Sequence, residues 1–188
     1  MAHKEQQDWC ELVKAAHPEY FIGTQVLDIG SLDINGNNRY LFDNCDYTGI
    51  DIGPGPNVDI ICSGHEFKSD EEFDVIISTE CLEHDKHYAE TLRNAYNLLK
   101  QGGLLLFSCA APGRPEHGTA RTTKGDSPFT NDYYRNLSEG DIREALVFYS
   151  EPYGDNKPNP VTIDELFTKY KFKIRTTFPQ DLYFYGIK

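Results

Sequence analysis

Apolar positions recur along the chain in two rhythms. Between residues 4 and 17, Trp9, Leu12, Val13 and Ala16 fall on one helical face, and Pro18 follows the end of that run. Five short apolar runs come next: Gln25–Gly30, Tyr47–Asp51, Val58–Cys62, Phe73–Ser78 and Leu104–Ser108. Each has the length of a strand and is bounded by polar or turn-forming residues. Between the last two, His87 to Lys100 carries Leu92, Ala95, Tyr96 and Leu99 on one helical face. It runs into Gly102-Gly103, and glycine is the residue that commonly ends a helix. Continuous apolar strands alternating with helices imply a parallel sheet covered on both faces. Two connections are thin: residues 31–46 leave room only for a short crossover helix, and residues 63–72 are fewer still.

The pattern changes after the fifth strand. Residues 111–160 are rich in Pro, Gly, Asn, Thr and Tyr, with one helical patch near Glu139–Phe148. A loop region of that length inside a compact domain usually serves function, here as a lid or an acceptor-side wall. Residues 162–170 read as a helix, with Thr162 as N-cap before Glu165. Phe172–Thr177 and Leu182–Ile187 read as two closing strands, and the few residues between them force an antiparallel hairpin. No internal repeat or linker divides residues 1–188, so one domain is expected, with an N-terminal helix within 1–20 and an insertion at 111–160. The expected fold is α/β: a mostly parallel seven-stranded sheet with an antiparallel terminal hairpin and helices on both faces.

Charge narrows the choice of partner. Asp and Glu number 30 against 18 Lys and Arg, a formal net charge of −12. Such a surface repels phosphate backbones and anionic headgroups, so neither nucleic acid nor membrane is an expected partner. No apolar run approaches the roughly 18 residues of a membrane span, and the polar start Met1–Asp8 does not resemble a secretory signal. The five cysteines are odd in number and lack C-x-x-C spacing. They are expected to be free thiols in a reducing, cytoplasmic setting.

Chemistry concentrates at strand ends. Asp28 sits at the end of the first apolar run, and Gly30 then lets the chain turn. Asp51 ends the second run, where an acid can accept hydrogen bonds from both hydroxyls of a ribose. Together they describe a nucleoside site, although either could instead be an ordinary turn residue. The dinucleotide fingerprint G-x-G-x-x-G is missing, since Leu32 and Ile34 follow Gly30. A pyrophosphate would also be repelled by Asp28 and Asp33, whereas a cationic sulfonium nucleoside tolerates them.

The sequence V-L-D-I-G, then Y-T-G-I-D, then F-D-V-I-I-S-T-E-C-L-E-H, then L-L-K-Q-G-G-L-L-L-F-S resembles the class I, Rossmann-like S-adenosylmethionine-dependent methyltransferases. It is closest to the small-molecule branch called methyltransferase type 11. The resemblance runs from about residue 24 to 110 and implies S-adenosylmethionine as cofactor. It implies that Asp28 orients the methionine end and that Gly30, with Ser31 beside it, faces the cofactor. Asp51 would bind the ribose and Ile52 would pack on adenine. Ser63, Gly64 and His65 would lie at the adenine amino group, and Ser78, Thr79 and Glu80 beneath the methionine. Two positions depart from the family pattern: Leu32 stands at its second loop glycine, and Ser63 at its common adenine-binding Asp. The implied activity is methyl transfer to an oxygen, nitrogen or carbon nucleophile of a small molecule. The alternative is a non-catalytic protein that binds S-adenosylmethionine or S-adenosylhomocysteine.

Glu80, Glu83, His84 and His87 form a second group. Hard cations prefer oxygen clusters and zinc prefers more His or Cys, so no metal is expected there. His84 is expected to line the pocket near the methyl group. His117 follows the fifth strand, on the acceptor side by the resemblance. It is either the general base for a hydroxyl or amine acceptor or a surface loop residue. Tyr133, Tyr134 and Arg135 are candidates for an acceptor wall, and Arg114 and Arg121 for an anion anchor.

Overall fold

The computed structural model describes residues 3–149 and 159–188. A helix α1 (Lys4–Ala16) precedes strands β1 (Gln25–Ile29), β2 (Asp46–Asp51), β3 (Ile60–Ile61) and β4 (Phe73–Thr79). Helix α2 (Tyr88–Leu98) leads directly into the long strand β5 (Leu99–Ala110). Then come α3 (Glu139–Ala145), the short strands β6 (Phe148–Tyr149) and β7 (Pro160–Val161), α4 (Ile163–Leu166), β8 (Lys169–Ile174) and β9 (Asp181–Ile187). Seven strands form one sheet in the order β3-β2-β1-β4-β5-β9-β8, while β6 and β7 pair separately. β1 to β5 run parallel, and β9 and β8 are antiparallel, as the sequence predicts. Strand order reverses between β1 and β4. A ligand crevice is expected there, beyond the carboxyl ends of the strands.

Strand alternation divides the core into two layers. Val26, Val75, Ile77, Leu104, Leu106 and Tyr183 point to one face, where α1 covers them with Trp9, Cys10 and Val13. Leu27, Ile76, Leu105, Phe107 and Phe184 point to the other, against Leu92 and Ala95 of α2 and Ile142 of α3. Helices thus lie on both faces. Burial of each such side chain stabilises the fold by about 2 kcal/mol.

Several boundaries differ from the reading of the sequence. No α-helix forms in residues 31–45, where only a 3₁₀ turn, Arg39–Leu41, interrupts the loop. β3 is two residues long, because Asp59 turns its carboxylate to the Gly49 amide (2.7 Å) and to Arg39 instead of continuing the ladder. Gly102 and Gly103 do not end α2. They lie within β5 at an irregularity where pairing with β4 steps from Phe73↔Leu99 to Val75↔Leu104, and Gly102 supplies a φ of +79°. The C-terminal end of α2 is instead served by Lys188, whose Nζ donates to the Tyr96 and Leu99 carbonyls. The helix expected at 162–170 is a single turn, closed by a Thr162–Glu165 capping box. β8 begins at Lys169 because Tyr170 and Phe172 alternate inward between the lysines. The helical patch expected near Glu139–Phe148 ends at Ala145, and Phe148 is in β6. The part of the 111–160 insertion at 150–158 lies outside the described residues. Among the described residues, no helix is long and apolar enough to cross a membrane. All five cysteines are free, and Cys10 and Cys109 are buried.

Candidate functional site

A cavity of about 650 Å³ opens over the carboxyl ends of β1, β2 and β4. Asp28 forms its floor. The carboxylate is buried, accepts from the Tyr47 hydroxyl at 2.5 Å and from Asn38 Nδ2 at 3.3 Å, and is pushed up to about 6. Loss of water is the main cause, and the two donors offset it only in part. Gly30 turns with a φ of +78°, and a Cβ there would stand 2.4 Å from Cys81 Sγ. Neither the backbone nor the space admits a side chain. Ser31 lines the cavity and donates its hydroxyl to the Asn57 carbonyl at 3.0 Å.

Asp51 stands across from Asp28. Its two carboxylate oxygens each accept one backbone amide, Leu32 and Gly53, both at 3.2 Å. A carboxylate can accept about four hydrogen bonds, so each oxygen keeps capacity for a further donor. Burial raises this carboxyl from its usual range, and the amides limit the rise. Leu32, which departs from the family glycine, donates its amide to Asp51 and packs its side chain toward the Gly55 turn. Ile52 lines the cavity beside Asp51 and stays partly exposed. Ser63, Gly64 and His65 line the cavity just beyond β3, next to Asp51, and His65 stacks on His87 at 4.2 Å between ring centroids.

The methyltransferase domain family matches residues 1–121. The chain belongs to that family. The resemblance carried by its motifs is therefore borne out at the level of family. A search of curated proteins finds no match. Among solved structures, the chain is similar to 1,6-didemethyltoxoflavin-N1-methyltransferase of Burkholderia thailandensis, with a TM-score of 0.60 at 15% identity over 97% of this chain and 77% of that one. That enzyme was crystallised with 1,6-didemethyltoxoflavin and S-adenosylhomocysteine. The chain is also similar to the N-methyltransferase NodS of Bradyrhizobium japonicum, with a TM-score of 0.58 at 15% identity over 98% and 87% of the two chains. Magnesium protoporphyrin IX methyltransferase of Synechocystis gives 0.57 at 14% identity over 98% and 79%. Identities this low establish a shared fold.

Within this methyltransferase the fourth-strand residues divide. Thr79 and Glu80 line the cavity, but Ser78 does not. The Ser78 hydroxyl donates to the Ile29 carbonyl at 2.8 Å and ties β4 to β1. The Glu80 side chain is also withdrawn. It accepts from Ser108 Oγ at 2.9 Å and from Arg114 at 2.8 Å, with His3 Nε2 3.5 Å away. Burial alone would raise its carboxyl, yet His3 and Arg114 hold it down at about 2. Arg114 also pairs with Asp181, and Arg121 pairs with Glu116. Both arginines named as anion anchors are thus committed to carboxylates.

His84 lines the cavity and His117 stands behind it, edge-on at 5.0 Å, with Tyr134 packed against both rings. Burial lowers both histidines, His84 to about 4, so both imidazoles are neutral near pH 7. His117 is half-buried and does not line the cavity wall. Tyr133 lines the cavity, whereas Arg135 pairs with Asp141 on α3. Sequence reasoning missed Asn38, which bridges Asp28 and Thr79. Within the lid expected at 111–160, the run 126–133 roofs the cavity. Phe129 in that roof takes a φ of +73° and lays its ring where a Cβ on Gly53 would stand.

Proposed function

We propose that this methyltransferase takes its methyl group from S-adenosylmethionine and transfers it to an oxygen, nitrogen or carbon nucleophile of a small molecule. The observation that carries this reading is the pair of acids, Asp28 buried and Asp51 half-buried, facing one cavity with no phosphate-binding loop beside them. The residues fit the cofactor. Asp51 keeps two acceptor positions for the ribose hydroxyls, and Asp28 offers negative charge to the methionine ammonium. Ile52 and the His65 rim bracket the adenine. S-adenosylmethionine brings an already activated sulfonium methyl, so the protein contributes mainly alignment and exclusion of water. The roof at 126–133 closes the cavity over the acceptor and lies within the lid expected at 111–160. His84 stands at the acceptor end of the cavity, with His117 behind it. The Burkholderia and Bradyrhizobium enzymes, both crystallised with S-adenosylhomocysteine, support this reading. The net charge of −12 supports a small acceptor over nucleic acid, and five free cysteines support a cytoplasmic setting.

Calorimetry with S-adenosylmethionine, S-adenosylhomocysteine, NAD and ATP tests it. The first two should bind in the micromolar range and the last two should not. Asp51→Ala should weaken S-adenosylhomocysteine by about 2–4 kcal/mol through loss of two charge-assisted hydrogen bonds. Tight NAD binding would sink the assignment. Turnover against an acceptor panel separates the enzyme from a binding-only protein.

A further inference from the structure

Glu83, His84 and His117 form an arrangement that methyl transfer by itself does not require. One ligating atom from each lies within 4.8 Å of the others. Glu83 is fully buried, and neither carboxylate oxygen has a hydrogen-bond partner. An ionised carboxylate taken out of water without partners costs several kcal/mol, so such burial needs a proton or a cation. Arg114 does not supply the cation, being committed to Glu80 and Asp181. The buried Nε2 of His117 also lacks a partner and stands 3.9 Å from Glu83 Oε1.

Both imidazoles are held from behind. His117 Nδ1 lies 3.3 Å from the Pro115 carbonyl, and His84 Nδ1 lies 3.4 Å from the Tyr133 carbonyl. An imidazole that donates Nδ1–H to a carbonyl presents an unprotonated Nε2. That is how metal-binding histidines are oriented by their supporting layer. The expectation of no metal rested on a different grouping. Glu80 is occupied by Arg114, and His87 stacks on His65, while His117 arrives from beyond β5 to complete the set.

We propose that Glu83, His84 and His117 form a site for one divalent first-row transition-metal ion, with Zn²⁺ as its type ligand. Two nitrogens and one carboxylate are the donor set of metal sites that keep a position open for water or substrate. Mg²⁺ and Ca²⁺, which want oxygen ligands, should bind weakly. His84 borders the cavity, so the open position faces the acceptor. An acceptor hydroxyl coordinated there would lose its proton to water more readily. Its oxygen then bonds to the methyl carbon while the carbon–sulfur bond breaks, and the electron pair stays on sulfur. That role rests on the methyltransferase reading, whereas binding of the ion does not.

The test uses full-length, tag-free protein stripped with EDTA. Zn²⁺ is titrated by calorimetry and Co²⁺ by visible absorption. One ion per chain is expected. Glu83→Gln and His117→Gln should each weaken Zn²⁺ by at least about 100-fold, since loss of supporting residues alone costs 10- to 100-fold. His87→Gln should bind Zn²⁺ like wild type, and circular dichroism checks that the variants fold. Sub-stoichiometric binding by wild type, or unchanged affinity in both folded variants, overturns the site. If both variants fail to fold, the wild-type stoichiometry alone decides. S-adenosylhomocysteine is titrated separately into the stripped wild type. Zn²⁺ binding without it would leave the ion site standing and remove the cofactor reading, and the reverse result would do the opposite.

Discussion

Arg114→Met tests the charge network under the cavity. In the native protein Arg114 serves Glu80 and Asp181, whose side chains are wholly buried. Ser108 and Tyr183 donate one neutral hydrogen bond each to those carboxylates, and His3 Nε2 lies 3.5 and 3.2 Å from them. The four charged groups balance. Methionine keeps the length of the stem but leaves two buried carboxylates facing His3 alone. Breaking a buried pair from one side costs about 3–5 kcal/mol. Unfolding entropy near 2.1 cal/mol/K per residue gives roughly 0.4 kcal/mol/K for this chain, so Tm should fall by about 10 °C. Calorimetry at pH 7 reads it. The pH dependence carries a sign. Burial alone would raise the Glu80 carboxyl, but the nearby His3 and the Arg114 charge bring it from 4.5 to about 2. Its stabilisation is full above about pH 4.5 and is lost as pH falls toward 2. The gap between wild type and variant should therefore narrow in acid. His3, raised to about 9 because Asp181 and Glu80 outweigh its burial, contributes fully below 6.5 and fades as pH rises through 9. A variant within about 1 kcal/mol of wild type at pH 7, with no narrowing in acid, would refute the reasoning.

Gly30→Ala should lower Tm and abolish S-adenosylhomocysteine binding, because its Cβ would meet Cys81 Sγ at 2.4 Å on a backbone with φ of +78°. Calorimetry and a melting curve read both. The Asp28 carboxyl sits at about 6, so S-adenosylhomocysteine affinity should fall as pH drops below 6, and Asp28→Asn should remove that dependence. A wild-type affinity that is flat from pH 5 to 8 would count against Asp28 as the ammonium partner. Ser78→Ala removes the buried donor to the Ile29 carbonyl and should cost about 1–3 kcal/mol in a denaturant titration. Its affinity for S-adenosylhomocysteine should stay at the wild-type value; a large loss would return Ser78 to the binding wall.

The sheet was legible where a strand is apolar on both faces, as in Val75–Ile77 and Leu104–Phe107. It was less so where the local signal points two ways. Gly102-Gly103 is a helix-stop signal and equally a strand irregularity, and only the pairing of Leu99 with Phe73 decides between them. Lys169–Ile174 carries an alternation that could have been read as strand three residues earlier, had the capping box at Thr162 not suggested a longer helix. In the site, Asp28, Gly30 and Asp51 were visible because each ends a strand or begins a turn. Ser78 is turned away from the cavity because alternation at a strand end decides which face a side chain takes. The partners of Glu80 were invisible, since Arg114, Asp181 and His3 come from distant parts of the chain. His117 joined Glu83 for the same reason: tertiary folding, and no spacing, sets their distance.

The triangle of His3, Glu80 and Asp181 also bears on the order in which the protein can mature. Its corners come from the beginning, the middle and the last strand of the chain. During synthesis the N-terminal parts emerge first. Every lining residue of the cavity, up to Tyr133, precedes Asp181 in the chain. A nascent chain can thus assemble the pocket walls while Glu80 still lacks its neutralising frame, because Arg114 has not yet been shared with Asp181. β9 must then insert between β5 and β8 as the final act. A ribosome-stalled chain released only to residue 175 should be protease-sensitive around Glu80, and release of the remaining residues should protect the whole domain at once.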